Sequence, residues 1–511
     1  MILFPERLSL QRVLELLDLI DKDKSDVENL SYNDDAILDA DYQPPPREQS
    51  SSEDDSSGDD DPIPQPTEHS RGRKRLRRGM RWRATPLTPN LVECEHEDET
   101  EHNRNGWTDK DLMKMISDCS NAMSLSRSGD LLNTSVDEVY HFFGACILMS
   151  CVRLPKMRMH WSKALGCTAI TDRFTRDKFF KLRQSLKVVI DDDVPEDLRK
   201  TDKFWKVRPF LDRILQGCRS QTRPECVSID EQMIPFTGAC PHRQYLPMKP
   251  NPVGIKNFVC ATADGIVLDF DLYQGTGALL DQVEEPEGLG LGGLVLAHLC
   301  QTLHCGTKVY CDRFFSSIQG AERLMKKELY LTSTVMKNRV AAAVQKLPSD
   351  RTMKNEGRGT STEVSTKDGK LCVVKWYDNK PVLMMSAVHG TQPEDTCQRW
   401  DRKLKEYVNL KMGGVDLVDR MISYYRMSTR TKKWTMWMIM HFTDLALANS
   451  WLLYCKDLTV CGAPKKSIMH LKNAAHCRAA GCTGRTRVRC TSCKVFLCLQ
   501  ADRNCYTAFH T

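Results

Sequence analysis

The stretch Lys411-Met-Gly-Gly-Val-Asp-Leu-Val-Asp-Arg-Met421 carries the strongest signal in this chain. Two carboxylates, Asp416 and Asp419, stand three residues apart, just after a Gly-Gly break and at the start of an apolar-periodic segment. In a helix they lie on one face of the first turn, where free N–H groups and the helix dipole favour negative charge. The same geometry suits a divalent cation that is shared with other carboxylates, so further acids are expected elsewhere in the chain.

Two further aspartates end short apolar segments that we interpret as strands. Asp230 follows Val227-Ser-Ile229, and Asp312 follows Val309-Tyr-Cys311. Converging carboxylates are costly unless they hold cations, and two Mg²⁺ ions clamped by aspartates stabilise both the attacking and the leaving oxygen of a phosphoryl displacement. Because each Mg²⁺ needs only one or two protein carboxylates, three or four aspartates suffice. Spacing alone is weak evidence, since the chain has 67 acidic residues.

Composition indicates a largely globular, multidomain protein with an unusual beginning. The 511 residues are 41% hydrophobic and 27% charged, enough for roughly two to four domains. The net charge of +6 is unevenly spread, because an acidic run at 53–61 is followed by a basic run at 71–83. Such blocks are typical of disordered tails, and we expect disorder over 1–105. The basic run is either a solvated linker or a nuclear import signal or nucleic-acid contact; we favour import and expect a nuclear protein.

Cysteine usage and hydropathy argue against secretion and against a membrane protein. Most of the 22 cysteines are scattered through apolar segments, like buried thiols. Residues 1–6 lack the charged and apolar regions of a secretory signal, so a reducing compartment is expected. The most apolar stretch, Trp434 to Tyr454, contains His441, Asp444 and Asn449, which favours a buried or amphipathic helix over a membrane span.

Hydrophobic periodicity changes along the chain. Helical spacing runs from Trp107 to about Cys218, and near Cys226 it gives way to short strands with a crossover helix at Leu294–Leu299. A second β-rich stretch covers 336–395, and a helical block follows from 416 to about 456. Mixed strands and helices predict an α/β layer. Before the globular part, Leu10 to Leu17 has helical spacing, which fits either a transient helix or a short partner-binding helix.

A cysteine cluster at the C-terminus predicts bound zinc. Its members are Cys477, Cys482, Cys490, Cys493, Cys498, Cys505 and His510. The two-residue gap between Cys490 and Cys493 lets both thiolates hold one tetrahedral Zn²⁺, and so short a segment needs metal for its folding energy. The number of zinc ions, one or two, stays open, and His476 is the adjacent candidate for an eighth ligand. The alternative to a zinc site is a set of free surface thiols. Arg485, Arg487 and Arg489 are expected to contact phosphate.

Four segments occur in an order that resembles the piggyBac family of cut-and-paste transposases and its domesticated relatives. They are Ser228–Met233, Lys249–Lys256, Cys311–Ser317 and Met412–Asp419. The similarity runs from about Trp107 to the C-terminus, and Gly-Gly-Val-Asp-x-x-Asp is its most specific part. Trp434, preceded by two lysines, matches a further family position.

The resemblance implies a multidomain α/β protein with an RNase H-like catalytic core. Asp230, Asp312 and Asp416 are then the Mg²⁺-binding triad, Asp419 a fourth acid, and the C-terminal cysteines a zinc finger that binds transposon ends. It further implies a homodimer on double-stranded DNA, hairpin intermediates and TTAA targets. The expected order is a disordered tail (1–105), a helical DNA-binding and dimerisation domain (106–222), the core (223–335), an insertion (336–395), the end of the core (396–420), the second helical part (421–460) and the zinc finger (470–511).

Several residues leave alternatives open. Where the family commonly has Asn after the second aspartate, this chain has Arg313, which could bind phosphate or pair with a catalytic carboxylate. Arg243, Lys249 and Lys256 are either DNA-backbone contacts or a solvated basic edge, and Trp434 either stacks on an unpaired base or is core. We therefore expect a Mg²⁺-dependent DNA transposase, with a catalytically silent DNA-binding or chromatin protein as the alternative.

Overall fold

The computed structural model describes residues 80–89, 91, 109–246, 249, 251–275, 277–392, 413–427, 431–460, 468–479, 481–490, 495–498 and 505. These residues fall into two compact units, with the boundary between Phe442 and Thr443. The predicted helix at Leu10–Leu17, most of the predicted tail, Cys493 and His510 lie outside the described residues.

A helical region forms the first part of the larger unit, as the periodicity predicts. Its α-helices are α1 (Asp109–Ser128), α2 (Val136–Cys151), α3 (Thr168–Thr171), α4 (Arg176–Ser185), α5 (Glu196–Thr201) and α6 (Arg208–Arg219), with 3₁₀ turns at Met157–Trp161, Asp191–Asp193 and Trp205–Val207. Helix α2 begins with a capping box between Ser135 and Glu138, which satisfies free N–H groups at the helix start. Helix α4 begins at Arg176, because the Thr175 side chain caps it by accepting from the backbone N–H of Lys178.

One mixed sheet follows the helices. Its strands are β1 (Trp82–Arg83), β2 (Cys226–Pro235), β3 (Gln244–Tyr245), β4 (Val253–Thr262), β5 (Val267–Leu272), β6 (Lys308–Cys311), β7 (Tyr330–Thr334), β8 (Ser361–Thr366), β9 (Cys372–Tyr377) and β10 (Pro381–Ser386). The order across the sheet is β1-β8-β9-β10-β7-β6-β2-β4-β3, and β5 pairs with β4. Strand β6 runs parallel to β2 and to β7, and the other pairs are antiparallel.

Helices between the strands cover one side of this sheet. They are α7 (Gly277–Leu280), α8 (Leu291–Leu299), α9 (Ile318–Lys326), α10 (Ala341–Val344) and α11 (Asp350–Glu356), with 3₁₀ turns at Cys300–Thr302 and Lys337–Val340. Leu294, Leu296 and Leu324 pack in one buried cluster with Val227 and Ile229 of β2. This confirms the crossover helix predicted at Leu294–Leu299, which begins at Leu291 in the structure.

The predicted insertion at 336–395 contributes its strands to the sheet of the core. Strand β10 pairs with β7, so β8 to β10 extend that sheet without interruption. The edge is completed by β1, whose Trp82 pairs with Thr366 and is only 2% exposed. Residues 80–89 are thus part of the folded unit, contrary to the disorder predicted for 1–105, because a buried indole anchors them.

The remaining helices and a hairpin complete the described chain. They are α12 (Gly414–Tyr424), α13 (Trp434–Val460), β11 (Ile468–His476) and β12 (Arg485–Cys490), the last two forming an antiparallel pair. Strands β11 and β12 belong to the smaller unit. Among the described residues, no helix is both long and apolar enough to cross a membrane.

An ion pair ties the helical region to the sheet. The Arg219 guanidinium at the end of α6 donates from Nε and Nη2 to the two carboxylate oxygens of Asp269 on β5, at 2.9 and 3.1 Å. Asp269 is 1% exposed, so this two-point contact compensates a buried charge and fixes the helix against the strand.

Candidate metal centre

The register of two parallel strands brings Asp230 and Asp312 together. Ile229 of β2 is paired with Cys311 of β6, so each aspartate is the next residue at the same edge. Asp230 does not end its strand, as the sequence suggested, because β2 continues to Pro235 against β4. What ends at Ile229 is the parallel pairing with β6, and the two carboxylates occupy the opening beyond it.

A third carboxylate, that of Glu231, joins this pair. Carboxylate oxygens of Asp230, Glu231 and Asp312 all lie within 4.8 Å of one another. Backbone N–H groups hold two of them in place: Glu231 N donates to Asp230 Oδ1 at 2.8 Å, and Phe314 N donates to Asp312 Oδ1 at 2.7 Å. Glu231 was not predicted as a site residue from the sequence. Two successive acids in an otherwise apolar strand are the signal that could have revealed it.

The electrostatics of these three groups favour a bound cation. Burial, and then the charge of Glu231, raise the pKa of Asp230 to about 7. Burial also raises the pKa of Asp312. Lys249 Nζ lies 2.8 Å from Glu231 Oε1; burial alone lowers the pKa of Lys249, but the hydrogen bond and charge of Glu231 outweigh it and raise that pKa. Clustered carboxylate oxygens are the ligands that Mg²⁺ and Mn²⁺ prefer.

Helix α12 approaches the sheet closely through Gly414. A Cβ at this position would lie 2.3 Å from the carbonyl oxygen of Thr262 and 2.6 Å from Ser228 Oγ. Only a residue without a side chain allows the helix to sit here, on the face of β2 and β4. The Gly-Gly break of the sequence therefore has a packing reason, and it carries the two acids of α12 to the sheet.

Asp419 is held by a buried polar network. Gln232 Nε2 donates to Asp419 Oδ1 at 2.7 Å, while Gln232 Oε1 accepts from Asn257 Nδ2 and from His441 Nε2, both at 3.2 Å. Burial raises the pKa of Asp419, and the Gln232 hydrogen bond opposes this. Burial lowers the pKa of His441 to about 3, so its ring is neutral and donates from Nε2. Sequence patterns gave no sign of this network.

Asp416 has a different environment from the other acids. It lies in the first turn of α12, as predicted, but it is exposed and is not one of the three clustered carboxylates. Its role as a metal ligand stays a prediction.

The basic and aromatic residues predicted to contact DNA differ in how far they are exposed. Arg243 is exposed, and its guanidinium donates to the carbonyl oxygens of Thr237 and Gly238 at 3.0 Å each. Lys256 is 7% exposed, with its ammonium 4.4 Å from the centre of the Phe314 ring. A contact between Lys256 and the DNA backbone does not fit this burial.

Trp434 is a core residue in this structure. It is 4% exposed, with its ring packed edge-on against Phe204 and His242 at centroid distances of 5.9 and 6.3 Å. Because so little of the indole surface is accessible, the expectation that it stacks on an unpaired base is replaced by its alternative, a packing role. Arg313 is exposed beside Asp312.

The smaller unit contains a second candidate metal site. Ligand atoms of Cys477, Cys482, Cys498 and Cys505 lie within 4.8 Å of one another, and four thiolates at this spacing fit one tetrahedral Zn²⁺. Burial raises the pKa of Cys477, but hydrogen bonds from the backbone N–H of Ala479 and of Cys498 and from neighbouring thiols outweigh it and lower that pKa to about 7. Cys490 is buried in β12 and packs beside this group.

The arginines of the hairpin alternate with buried residues. Arg485 and Arg487 are exposed, Val488 and Cys490 are buried, and the Arg489 guanidinium lies 5.8 Å from the centre of the Phe496 ring. Successive strand residues point to opposite faces, so the three arginines share one face of β12. His476 is exposed at the end of β11.

Several known proteins are similar to this chain in sequence or in structure. A family model described as Transposase IS4 matches residues 107–451. PiggyBac transposable element-derived protein 3 of Homo sapiens is 27% identical over 461 residues, covering 79% of this chain and 75% of that protein. PiggyBac transposable element-derived protein 2 of Homo sapiens is 26% identical over 352 residues, covering 64% and 57%. A cryo-EM structure of a piggyBac transposase synaptic complex with hairpin DNA matches with a TM-score of 0.57 and 25% identity, over 70% of this chain and 74% of that one.

Proposed function

Since the chain belongs to the piggyBac transposase family, we propose that it binds double-stranded DNA and catalyses metal-dependent strand cleavage and transfer. The observation that carries this proposal is the meeting of Asp230 and Asp312 at the edge of two parallel strands, with Glu231 within 4.8 Å. We assign this sheet and its helices to an RNase H-like core.

The chain's own residues would do two things in this reaction: hold the metal ions and orient the carboxylates that bind them. Asp230 and Asp312 hold Mg²⁺, with Asp416 and Asp419 brought up by α12 as the third and fourth acids. Bound Mg²⁺ supplies an activated water and neutralises charge that develops on phosphate oxygens. The backbone N–H groups of Glu231 and Phe314 and the Gln232 amide orient the carboxylates before metal arrives. We assign two Mg²⁺ ions, because the acids come from two strands and a helix.

DNA contacts are proposed on both units. The similar piggyBac transposase was solved as a synaptic complex with hairpin DNA, and by analogy this chain acts as a homodimer that holds two DNA ends. Arg243 beside β3 and Arg485 and Arg487 on β12 are exposed and suit phosphate contacts. One Zn²⁺ on the four clustered cysteines would hold the hairpin in place. A TTAA target and nuclear localisation through the basic run at 71–83 are further parts of the proposal.

A catalytically silent, domesticated DNA-binding protein is the second candidate. Two observations favour it: Asp416 is exposed outside the acidic cluster, and the exposed Arg313 follows Asp312 in the chain. A guanidinium that reaches a metal-binding carboxylate would weaken cation binding through like charge.

Cleavage of DNA separates the two candidates. The substrate is duplex DNA carrying transposon ends of this family, incubated with the protein and Mg²⁺. We expect nicks at these ends by the wild type and none by Asp312→Asn, with equal DNA binding by both. If the wild type binds but never cuts, the enzyme proposal is wrong and the silent protein stands.

A further inference from the structure

Glu231 and Lys249 form an unusual ion pair at the edge of the acidic cluster. One carboxylate oxygen of Glu231, Oε1, is 2.8 Å from Lys249 Nζ. The other, Oε2, is buried and has no hydrogen-bond partner among the described residues. The Glu231 side chain is 13% exposed and that of Lys249 is 33% exposed. A buried carboxylate oxygen without a donor is costly, so a missing partner is expected there.

The charges around Glu231 do not balance. Carboxylate oxygens of three residues lie within 4.8 Å of one another, and the Lys249 ammonium contacts one of them, that of Glu231. The ammonium acts on all three, because its charge opposes the raised pKa of Asp230 and of Asp312 as well as pairing with Glu231. One positive charge offsets only part of this cluster, whereas a divalent cation would offset more.

We propose that Glu231 is a ligand of the divalent-cation site and that Lys249 is an internal counter-ion that the cation displaces. This rests on the proposed metal-dependent function and adds two residues to its site. Glu231 Oε2 supplies the ligand atom, and Oε1 is released when Lys249 withdraws. A lysine ammonium suits this exchange, since it is a point charge on a flexible stem and a third of the side chain already reaches solvent.

Displacement of Lys249 by the cation reverses the effect expected of an ordinary structural ion pair. If Lys249 only stabilised the fold around Glu231, removing it would loosen the site and weaken cation binding. If Lys249 competes with the cation, removing it strengthens cation binding. The sign of one measurement therefore distinguishes the two roles.

Mn²⁺ binding to the full-length protein without DNA provides that measurement. The protein is first loaded with Zn²⁺ so that its thiolates are occupied. Unbound and weakly bound zinc is then removed by gel filtration, because Zn²⁺ left at the carboxylates would outcompete Mn²⁺ there. Titration calorimetry and electron paramagnetic resonance then report the carboxylate site. Asp312→Asn defines the signal that is lost when this site is destroyed.

We expect opposite changes in the two variants. Lys249→Met should bind Mn²⁺ roughly tenfold more tightly, because a charge within a few ångströms of the ion is removed. Glu231→Gln should bind it roughly tenfold more weakly, because a ligand charge is removed. In the double variant, the gain in Mn²⁺ affinity from Lys249→Met should shrink, because Lys249 and the cation compete mainly for the Glu231 carboxylate. Lys249→Gln is a second version of the first variant, should Met disturb folding.

Arg243→Met is the matched control. It also deletes one exposed positive charge, but its guanidinium lies beside β3, where it contacts the carbonyl oxygens of Thr237 and Gly238 and, among the described residues, no acid of the cluster. Its Mn²⁺ affinity should stay within about twofold of wild type, because screening by solvent weakens such distant effects. An equal gain in this variant would mean that only net charge matters.

Thermal melting gives an independent readout. Without Mn²⁺, Lys249→Met should melt at a lower temperature than wild type, because three carboxylates lose their counter-ion. Saturating Mn²⁺ should remove the difference, since the ion replaces the lost charge. Glu231→Gln should melt no lower than wild type in the metal-free protein.

The inference is overturned by equal or weaker Mn²⁺ binding in both Lys249 variants, by unchanged binding in Glu231→Gln, or by a wild type that binds no Mn²⁺. Its failure is separable from that of the proposed function. A protein that binds Mn²⁺ through Glu231 but cuts no DNA refutes the proposed cleavage alone. A protein that cuts DNA while Lys249→Met binds Mn²⁺ more weakly refutes the exchange alone.

Discussion

Replacing Gly414 by alanine should destabilise the larger unit although alanine is the better helix former. The added Cβ would lie 2.3 Å from the Thr262 carbonyl oxygen and 2.6 Å from Ser228 Oγ. Real Cβ contacts do not come below 3.0 Å, so helix α12 must retreat by about 0.7 Å. Neither close atom belongs to a long flexible side chain, so the strain falls on the helix and the sheet.

The magnitude follows from the packing and from one hydrogen bond. Overpacking of this kind costs roughly 1–3 kcal/mol. The same retreat would lengthen the contact of 2.7 Å between Gln232 Nε2 and Asp419 Oδ1 to about 3.4 Å, beyond the usual range for such a bond. We therefore expect a loss of about 1–3 kcal/mol in the free energy of unfolding, together with weaker Mn²⁺ binding.

Urea denaturation followed by circular dichroism measures this loss, and Gly144→Ala is its control. Gly144 lies exposed inside α2, and a Cβ there meets nothing within 4 Å. That substitution should raise stability by about 0.5–1 kcal/mol, because glycine in a helix interior costs this much relative to alanine. If Gly414→Ala is as stable as wild type, or gains as much as the control, the close approach of α12 to the sheet is wrong.

Three other outcomes follow from the structure. The raised pKa of Asp230, about 7, means that the folded metal-free protein holds a proton that the unfolded chain releases near pH 4. The free energy of unfolding should therefore fall from pH 5 to pH 8. Denaturation midpoints measured across that range should fall less steeply in Asp230→Asn than in wild type. An equal slope of midpoint against pH in the two proteins would contradict this. Trp434→Ala should lose roughly 3–5 kcal/mol of stability, whereas Trp434→Phe should keep both fold and DNA affinity in gel-shift assays; a stable Phe variant that has lost DNA binding would restore the stacking role. A zinc chelator should lower the melting temperature of the smaller unit, and Cys498→Ser should no longer respond to it; unchanged melting would exclude a structural zinc site there.

Local patterns were enough to predict most secondary structure. The helical region, the change to strands near Cys226 and the crossover helix were predicted from helical spacing and apolar runs, because these periods are properties of neighbouring residues. The predicted end of a strand at Asp230 was wrong, since β2 continues to Pro235. The four clustered cysteines are among the seven zinc ligands predicted from the sequence, but Cys490, whose two-residue gap to Cys493 was the spacing signal, is not one of the four. Trp82 was not, because nothing beside it in the sequence indicates that its indole completes the edge of the sheet.

Some residues of the metal centre could likewise be predicted from the sequence, whereas others could be found only in the structure. Asp230, Asp312 and the two acids of α12 could be named from the sequence, because each stands in a short motif that resembles the family. That Glu231 joins them, that Lys249 pairs with it, and that Gln232 and His441 hold Asp419 could not. These contacts join positions up to 209 residues apart, as between Gln232 and His441.

The sequence alone therefore determined the element types, the order of the acids and the family to which they belong. The tertiary structure decided which acids meet, which basic residues remain exposed and which are buried. The physical reason is that periodicity and motif spacing act within a few residues, whereas strand register and the close approach allowed by Gly414 set distances across the whole sheet. Asp416 shows the difference: its motif is the clearest in the chain, yet its carboxylate stays exposed outside the cluster that the fold assembles.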